Sequence, residues 1–171
     1  MKTIIMSIGI PGSGKTTLMK EIAGKNSLEY IGPDALREEI HGDEMDHADD
    51  KAIWVELRSR VADALNRNQG VVVDASFHTA KRRAHFIEFA RQSGAEQIEA
   101  LFFNIPLDVI LSRNAARKDA GGKLASEDYI RRAYAELQDN LPMPEEGFDI
   151  LVEVNEAGRF RTIKSLAGSV L

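Results

Sequence analysis

The sequence predicts an α/β fold in which a five-stranded parallel sheet carries helices on both faces. Three observations support this prediction. Short apolar segments rich in β-branched residues alternate with segments whose apolar residues recur three and four apart. The segment 71–73 is wholly apolar, as expected of a strand that is buried on both faces. Reactive polar residues follow three of the predicted strands, where ligands bind in sheets of this kind.

The predicted strands cover residues 2–8, 28–31, 71–74, 98–104 and 148–154. The predicted helices cover residues 15–23, 33 onward, 48–68, 80–92, 106–117 and 126 onward. Local signals set their ends: Gly24 ends the first helix, Pro33 begins the second, Gly70 ends the long third, Pro106 begins the fifth and Ser126 caps the sixth. Residues 155–171 show no pattern that assigns them to an element. We expect one domain over residues 1–171, because this length buries one core.

The composition restricts the surroundings and the partners of the protein. No cysteine is present, which excludes disulfides and cysteine nucleophiles and agrees with a reducing compartment. The apolar N-terminus is too short for a signal peptide and no stretch is long enough to span a membrane, so we expect a cytoplasmic protein without a membrane partner. The net charge is −5, which counts mildly against a large nucleic-acid surface. An oligomer is compatible with the composition.

A glycine-rich loop follows the first predicted strand and precedes the first helix. Its residues match the phosphate-loop pattern G-x-x-x-x-G-K-[ST]: Gly9, Ile10, Pro11, Gly12, Ser13, Gly14, Lys15 and Thr16. We expect its backbone N–H groups and the helix N-terminus to bind the phosphates of ATP, with Lys15 at the β- and γ-phosphates and Thr16 on Mg²⁺. The predicted ATP contacts are Gly9, Pro11, Gly12, Ser13, Gly14, Lys15, Thr16 and Thr17, together with Arg113 and Arg117 farther along the chain.

Two further polar sites follow predicted strands. Asp34 and Arg37 are three residues apart at the start of a helix, so they share a face. A carboxylate there could deprotonate a hydroxyl while the guanidinium holds an anion, although a helix-end acid beside an exposed arginine is the structural alternative. Asp74 ends the apolar strand, where an acid needs a cation or donors. We expect it to support Mg²⁺ together with Thr16; an acid that caps the next turn is the alternative.

Charge is distributed unevenly along the chain. Residues 34–50, the acidic segment, contain Arg37 and eight acids: Asp34, Glu38, Glu39, Asp43, Glu44, Asp46, Asp49 and Asp50. The region 113–132 is mostly basic. There Arg113 and Arg117 lie four apart on a helix that leads into Gly121 and Gly122. This pattern predicts a lid at about residues 113–132 that closes over ATP. The alternative is that both arginines are solvated at the surface.

Several segments together resemble a known family: residues 1–17, Gly32-Pro33-Asp34 with Arg37, residues 71–76 with Arg82-Arg83, and Arg113 with Arg117. Over residues 1 to about 154 they resemble the kinase domain of phage and bacterial polynucleotide 5′-kinases and the small bacterial kinases related to them. The resemblance implies a P-loop NTPase fold and transfer of the γ-phosphoryl group of ATP to a 5′-hydroxyl.

The resemblance also implies roles for individual residues. Asp34 would be the general base, and Arg37 would contact a phosphate of the acceptor. Lys15 and Arg117 would stabilise the transferring phosphoryl group from two sides. Asp74 would support the arrangement of Mg²⁺ and Thr16.

Departures from the family pattern leave the acceptor open. Ala75 and Ser76 stand after Asp74, where threonine and asparagine are common in the family, and the acidic segment would repel a long polyanion. The first alternative is a kinase of the same fold for a small hydroxyl compound such as a sugar, nucleoside or antibiotic. The second is an ATP-binding or ATPase signalling module.

Other residues have less specific readings. Trp54 lies on the apolar face of its predicted helix, which favours packing in the core over stacking on a nucleobase. For the basic residues 81–83, Lys-Arg-Arg, we expect a solvated helix face and not a contact with nucleic acid. The four histidines lack metal-ligand spacing, and of these His78 is expected to lie nearest the site.

Overall fold

A computed structural model of the chain describes residues 1–122 and 125–165. Residues 123 and 124 of the predicted lid, and residues 166–171 of the C-terminal tail, lie outside the described residues. The strands are β1 (Thr3–Ile8), β2 (Glu29–Ile31), β3 (Val71–Val73), β4 (Gln97–Phe103), β5 (Ile150–Val154) and β6 (Phe160–Lys164). The helices are α1 (Lys15–Asn26), α2 (Pro33–His41), α3 (Asp50–Asn66), α4 (Ala80–Gln92), α5 (Leu107–Asp119) and α6 (Glu127–Asp139), and a 3-10 turn covers Pro144–Glu146.

The strands form one sheet in the order β2-β3-β1-β4-β5-β6. The first five are parallel and β6 runs antiparallel to β5. Consecutive residues of the central strands, such as Ile4, Ile5 and Met6 in β1, are buried. Because successive side chains of a strand point to opposite faces, helices must cover both faces of the sheet. The α/β, P-loop type fold predicted from the sequence is therefore confirmed, with one strand more than the five predicted.

The additional strand comes from the part of the tail that carried no pattern. Its residues pair with β5 from Val154 opposite Phe160 to Leu151 opposite Lys164. Phe160 is exposed, so β6 is an edge strand without the apolar run that marks a buried parallel strand. Its place is set by pairing with β5 and not by its own composition.

The end of α1 differs from the prediction. Gly24 lies within the helix, which continues to Asn26, and Ser27 adopts the left-handed conformation, with φ +53, that ends it. The prediction that Gly24 ends the helix was therefore wrong. Glycine inside a helix costs about 1 kcal/mol relative to alanine, and the packing of α1 on the sheet is sufficient to extend it past that position.

Trp54 and Arg83 both pack against or within the core, and only the first was predicted to do so. Trp54 packs on the ring of Phe77, with centroids 5.8 Å apart, as the core-packing prediction had it. Arg83 is fully buried: its Nε and Nη2 donate to the carboxylate of Glu146, and Nη1 donates to the carbonyl of Phe77. The prediction of a solvated face was therefore wrong for Arg83, which is also inaccessible to nucleic acid. Of the helices in the described segments, none combines the length and apolar composition of a membrane crossing.

Candidate functional site

The loop between β1 and α1 is held in a conformation that suits glycine. Gly12 and Gly14 have φ angles of +86° and +90°, which residues with a side chain rarely adopt. The N–H of Gly9 donates to the carbonyl of Ser76 at 2.9 Å, and Ser13 Oγ donates to the carbonyl of Ile10 at 2.7 Å. Because α1 begins directly after the loop, the unpaired N–H groups of its first turn and its positive dipole end face the same space. The loop can therefore bind an anion.

The side chain of Lys15 lies folded over this loop. Its Nζ donates to the carbonyl of Ile10 at 2.8 Å, and 9% of the residue is exposed. Burial lowers the pKa of Lys15 below its ordinary value, while the carboxylates of Asp74 and Asp34 act in the opposite direction. The ammonium group is thus placed in low-dielectric surroundings, where its charge acts strongly on a nearby anion.

Asp74 follows β3 directly and lies beside the loop. Its Oδ2 accepts hydrogen bonds from Thr16 Oγ1 at 2.7 Å and from Tyr30 Oη at 2.6 Å. Its Oδ1 lies 3.2 Å from Ser7 Oγ, whose one proton has a nearer acceptor in the carbonyl of Ala75, at 2.8 Å. Burial and the neighbouring Asp74 carboxylate both raise the pKa of Tyr30, so its hydroxyl stays protonated and donates. Hydroxyl donors from β2 and α1 therefore fix the orientation of this carboxylate, and Ser7 of β1 contacts its other oxygen.

Thr16 and Asp74 form a donor set that suits Mg²⁺. Both supply oxygen atoms, which hard divalent cations prefer, and their oxygens already lie 2.7 Å apart. In residues 1–122 and 125–165 there is no cluster of three or more His, Cys, Asp or Glu side chains able to hold a metal. Mg²⁺ commonly uses one or two protein oxygens together with phosphates and waters, and Thr16 and Asp74 can supply that number. The residues present therefore fit the metal.

Asp34 and Arg37 lie in the first turns of α2 and bond to each other. Arg37 Nη1 donates to Asp34 Oδ1 at 2.5 Å. The guanidinium also donates from Nε to Oδ1 of Asp50, at 2.8 Å, across to the start of α3. Only 5% of the Arg37 side chain is exposed, against 73% of the Asp34 side chain. The predicted alternative of an exposed arginine is therefore wrong, and Asp34 is the member of the pair that reaches solvent.

Arg113 and Arg117 approach the loop from α5. Arg113 donates from Nη1 to the carbonyl of Ser13 and from Nη2 to the carbonyl of Glu156, both at 3.3 Å. The second contact gives the C-terminal hairpin of β5 and β6 a role in placing this arginine. Arg117 lines both of the cavities that adjoin the loop. The closing movement of a lid at about residues 113–132 stays a prediction.

The two cavities together trace a continuous site. The smaller has a volume of about 130 Å³ and brings together residues from four segments of the chain: Pro11, Gly12, Gly14, Lys15, Thr16, Thr17, Pro33, Asp34, Asp74, Ala75, Ser76 and Arg117. The larger, of about 520 Å³, lies between the loop and α5, and is lined by Gly12, Gly14, Thr17, Arg113, Ala116, Arg117 and Ala120. Gly9 and Ser13 support the loop from behind and do not line either cavity. Arg37 does not line them either.

Residues that the sequence patterns did not single out also hold this site. Tyr30 and Ser7 orient Asp74, and Asp50 bonds to Arg37. For Tyr30, the signal was its position near the carboxyl end of a strand that pairs with β3, beside Asp74. For Asp50, the only signal was an acid at the start of a helix, which is common at such positions and therefore uninformative.

Comparison with known proteins agrees with this geometry. Residues 4–141 match the model of a protein family described as an AAA domain. Among solved structures, a Chloroflexus aurantiacus protein assigned as a kinase superposes with a TM-score of 0.71 at 18% identity, covering 90% of this chain and 88% of its own. A gluconokinase from Sinorhizobium meliloti superposes with a TM-score of 0.58 at 20% identity, covering 92% of this chain and 83% of its own.

A chain of the Pnkp1/Rnl/Hen1 RNA repair complex is also similar, with a TM-score of 0.73 at 17% identity. The match covers 99% of the present chain and 51% of the repair-complex chain, so the present chain spans about half of its length. At these identities the solved structures show a shared fold. That fold is the one found in small kinases, as the resemblance in the sequence predicted.

Proposed function

This chain belongs to the AAA domain family, and from that premise we propose that it is an ATP-dependent kinase that phosphorylates a hydroxyl group. One observation carries the proposal. Lys15, Thr16, Asp34, Asp74 and Arg117 line one cavity of about 130 Å³. Phosphoryl transfer needs a phosphate cradle, cations around the moving group, a metal ligand and a carboxylate near the acceptor hydroxyl. This cavity contains each of these.

The donor is ATP, which would extend across both cavities. They share Gly12, Gly14, Thr17 and Arg117 along their common border. The β- and γ-phosphates would lie against the loop in the smaller cavity, where the helix N-terminus and Lys15 act on them. The larger cavity, beside α5, has room for the adenosine part, which needs a few hundred cubic ångströms as other small ligands do.

In the reaction, Asp34 accepts the proton of the acceptor hydroxyl. The hydroxyl oxygen bonds to the γ-phosphorus while the bond from that phosphorus to the oxygen bridging to the β-phosphate breaks. ADP leaves with the bonding electron pair, and the acceptor leaves as a phosphate monoester. Asp34 suits this role because most of its side chain is exposed to the cavity and to solvent, while Arg37 holds one of its two oxygens.

Lys15 and Arg117 would place positive charge on two sides of the transferring phosphoryl group. Thr16 and Asp74 would hold Mg²⁺, which neutralises phosphate charge when it is bound. Tyr30 and Ser7 act through Asp74 and are positioning residues. Arg113 braces the loop at the carbonyl of Ser13.

Two classes of acceptor are compatible with this chemistry. A 5′-hydroxyl of a polynucleotide or nucleotide is favoured by the resemblance in the sequence and by the similarity in fold to a chain of an RNA repair complex. A small hydroxyl compound is favoured by the acidic segment, which begins at the proposed base, and by the burial of Arg83, which removes one cation from a nucleic-acid surface.

An acceptor screen tests the proposal. The protein is incubated with γ-labelled ATP, Mg²⁺ and either 5′-hydroxyl DNA and RNA oligonucleotides or a panel of sugars, nucleosides and hydroxyl-bearing antibiotics. We expect label in one acceptor class, and none with a Lys15→Met control prepared in the same way, which excludes a contaminating kinase. Consumption of ATP with no labelled acceptor would contradict the proposal and favour an ATPase module.

A further inference from the structure

Arg37 is closed off from the acceptor by a carboxylate of its own chain. Its Nε and Nη2 both lie 2.8 Å from Oδ1 of Asp50, and its Nη1 bonds to Asp34. Phosphate and carboxylate groups of ligands bind arginine through the same paired N–H donors that Asp50 occupies here. With 5% of its side chain exposed, the guanidinium has little surface left for a ligand.

Asp50 is itself held in place from three directions. It begins α3, where the helix dipole stabilises a negative charge. His47 Nδ1 lies 3.0 Å from its Oδ2. Partial burial alone would raise the pKa of Asp50, but the hydrogen bonds with His47 and Arg37 outweigh burial and lower it. Asp50 is therefore ionised at neutral pH and stays close to Arg37.

An acceptor phosphate would have to displace this carboxylate. Asp50 is joined to Arg37 through only thirteen residues, so it competes as an intramolecular ligand with a high effective concentration. A displaced Asp50 would also face the incoming phosphate as a like charge, with the other acids of the same segment nearby in sequence. An uncharged hydroxyl compound meets neither cost, because it can approach Asp34 and leave Arg37 paired.

Resting on the proposed kinase function, we infer that the acceptor is an uncharged small hydroxyl compound and that Asp50 excludes acceptors with an anionic group beside the reacting hydroxyl. Arg37 then acts as a positioning residue, which orients Asp34, and does not bind the acceptor's phosphate as the resemblance in the sequence implies. Polynucleotide 5′-ends, whose first phosphate follows the terminal sugar, belong to the excluded class.

The test uses acceptor pairs that differ in one anionic group: adenosine with adenosine 3′-monophosphate, cytidine with cytidine 3′-monophosphate, and glucitol with gluconate. Values of kcat/KM are measured for the wild type, Asp50→Asn and Glu44→Gln. Asp50→Asn keeps the side-chain shape and leaves the cap of α3 at Asp49 intact. Glu44→Gln removes the same charge from the same segment and is the matched control, since the hydrogen bonds and ion pairs of Arg37 go to Asp34 and Asp50.

We expect the wild type to prefer the uncharged member of at least one pair. Asp50→Asn should raise kcat/KM for the charged member at least about tenfold, because a neutral amide binds the guanidinium more weakly than a carboxylate does. Glu44→Gln should leave the ratio within each pair unchanged. A wild type that prefers the charged members would overturn the inference and leave the kinase proposal standing.

If no pair is phosphorylated, that result contradicts the kinase proposal for these acceptors. A binding measurement then still tests the role of Asp50. Inorganic phosphate is titrated calorimetrically into each variant saturated with ADP and Mg²⁺. We expect Asp50→Asn to bind phosphate at least about tenfold more tightly than the wild type, with the gain lost in Asp50→Asn combined with Arg37→Met. Equal phosphate affinity of the wild type and Asp50→Asn would overturn the inference.

Discussion

In the donor half of the site, formed by the loop with Lys15, Thr16, Tyr30 and Asp74, the residues Ser13, Lys15 and Asp74 are buried. The side chains of Ser13 and Lys15 bond to the backbone carbonyl of Ile10. In the acceptor half, formed by Asp34, Arg37 and Asp50, the carboxylates are exposed and bond to a single buried guanidinium. Ser13 and Asp74 are 2% and 8% exposed, whereas the side chains of Asp34 and Asp50 are 73% and 44% exposed.

Under the proposed kinase function, this difference follows from what each half would recognise. Phosphates are the same in every nucleotide, so a rigid cradle of backbone N–H groups is sufficient to bind them. Glycine allows the positive φ angles that this cradle needs, and burial of the surrounding side chains holds it in place. An acceptor hydroxyl differs from substrate to substrate. It is therefore recognised by side chains on the surface of helices, which can change while the sheet stays the same.

The largest expected effect is at Lys15 in the donor half. Lys15→Met keeps the length of the buried side chain but removes its charge, so the rate of transfer should fall by about 10³-fold or more. The fall is measured as kcat with γ-labelled ATP and the acceptor found in the screen. Lys25→Met, on the exposed end of α1 where Lys25 pairs with Glu21, is the control and should retain full activity. Retained transfer in Lys15→Met would break the comparison.

A somewhat smaller effect is expected at Asp34 in the acceptor half. Asp34→Asn can still accept the hydrogen bond from Arg37 but can no longer take a proton, so kcat should fall by about 10²- to 10⁴-fold. The affinity for ATP, measured by calorimetry, should stay unchanged, because the loop is intact. Loss of ATP binding together with transfer would show that the two halves are not separable.

The smallest expected effect is at Tyr30, which acts only through Asp74. Tyr30→Phe removes one of the two short hydroxyl hydrogen bonds to that carboxylate, so the Mg²⁺ concentration for half-maximal activity should rise about tenfold. At saturating Mg²⁺ the value of kcat should return to that of the wild type. A fall in kcat that Mg²⁺ does not restore would place Tyr30 in the reaction itself, or in the stability of the fold.

Local patterns were sufficient for the donor half and for the five parallel strands. The loop, its flanking strand and its helix are adjacent in sequence, and φ angles that only glycine tolerates leave a readable trace. The helix over residues 80–92 and the cap of α6 by Ser126 also match the prediction, because apolar spacing and a capping hydroxyl are local signals. The same signals predicted that Asp34, Asp74 and the loop meet at one edge of the sheet.

Other features depend on residues far apart in the chain, and no local pattern contains them. Arg83 reads as part of a basic surface run until Glu146, sixty-three residues away, supplies its buried partner. The strand β6 exists because β5 offers a free edge, and Ser27 in place of Gly24 ends α1 because packing on the sheet outweighs propensity.

The sequence by itself thus determined the fold class, the phosphate loop and the presence of Asp34 and Asp74 at the site. Only the tertiary structure decided which partner each acid meets: Asp74 meets the hydroxyls of Thr16 and Tyr30, and Arg37 is shared between Asp34 and Asp50. The physical reason is the distance along the chain over which each feature is set. Backbone conformation and apolar periodicity are set within a few residues, whereas the partner of a buried charge is set by whichever strand or helix packs beside it.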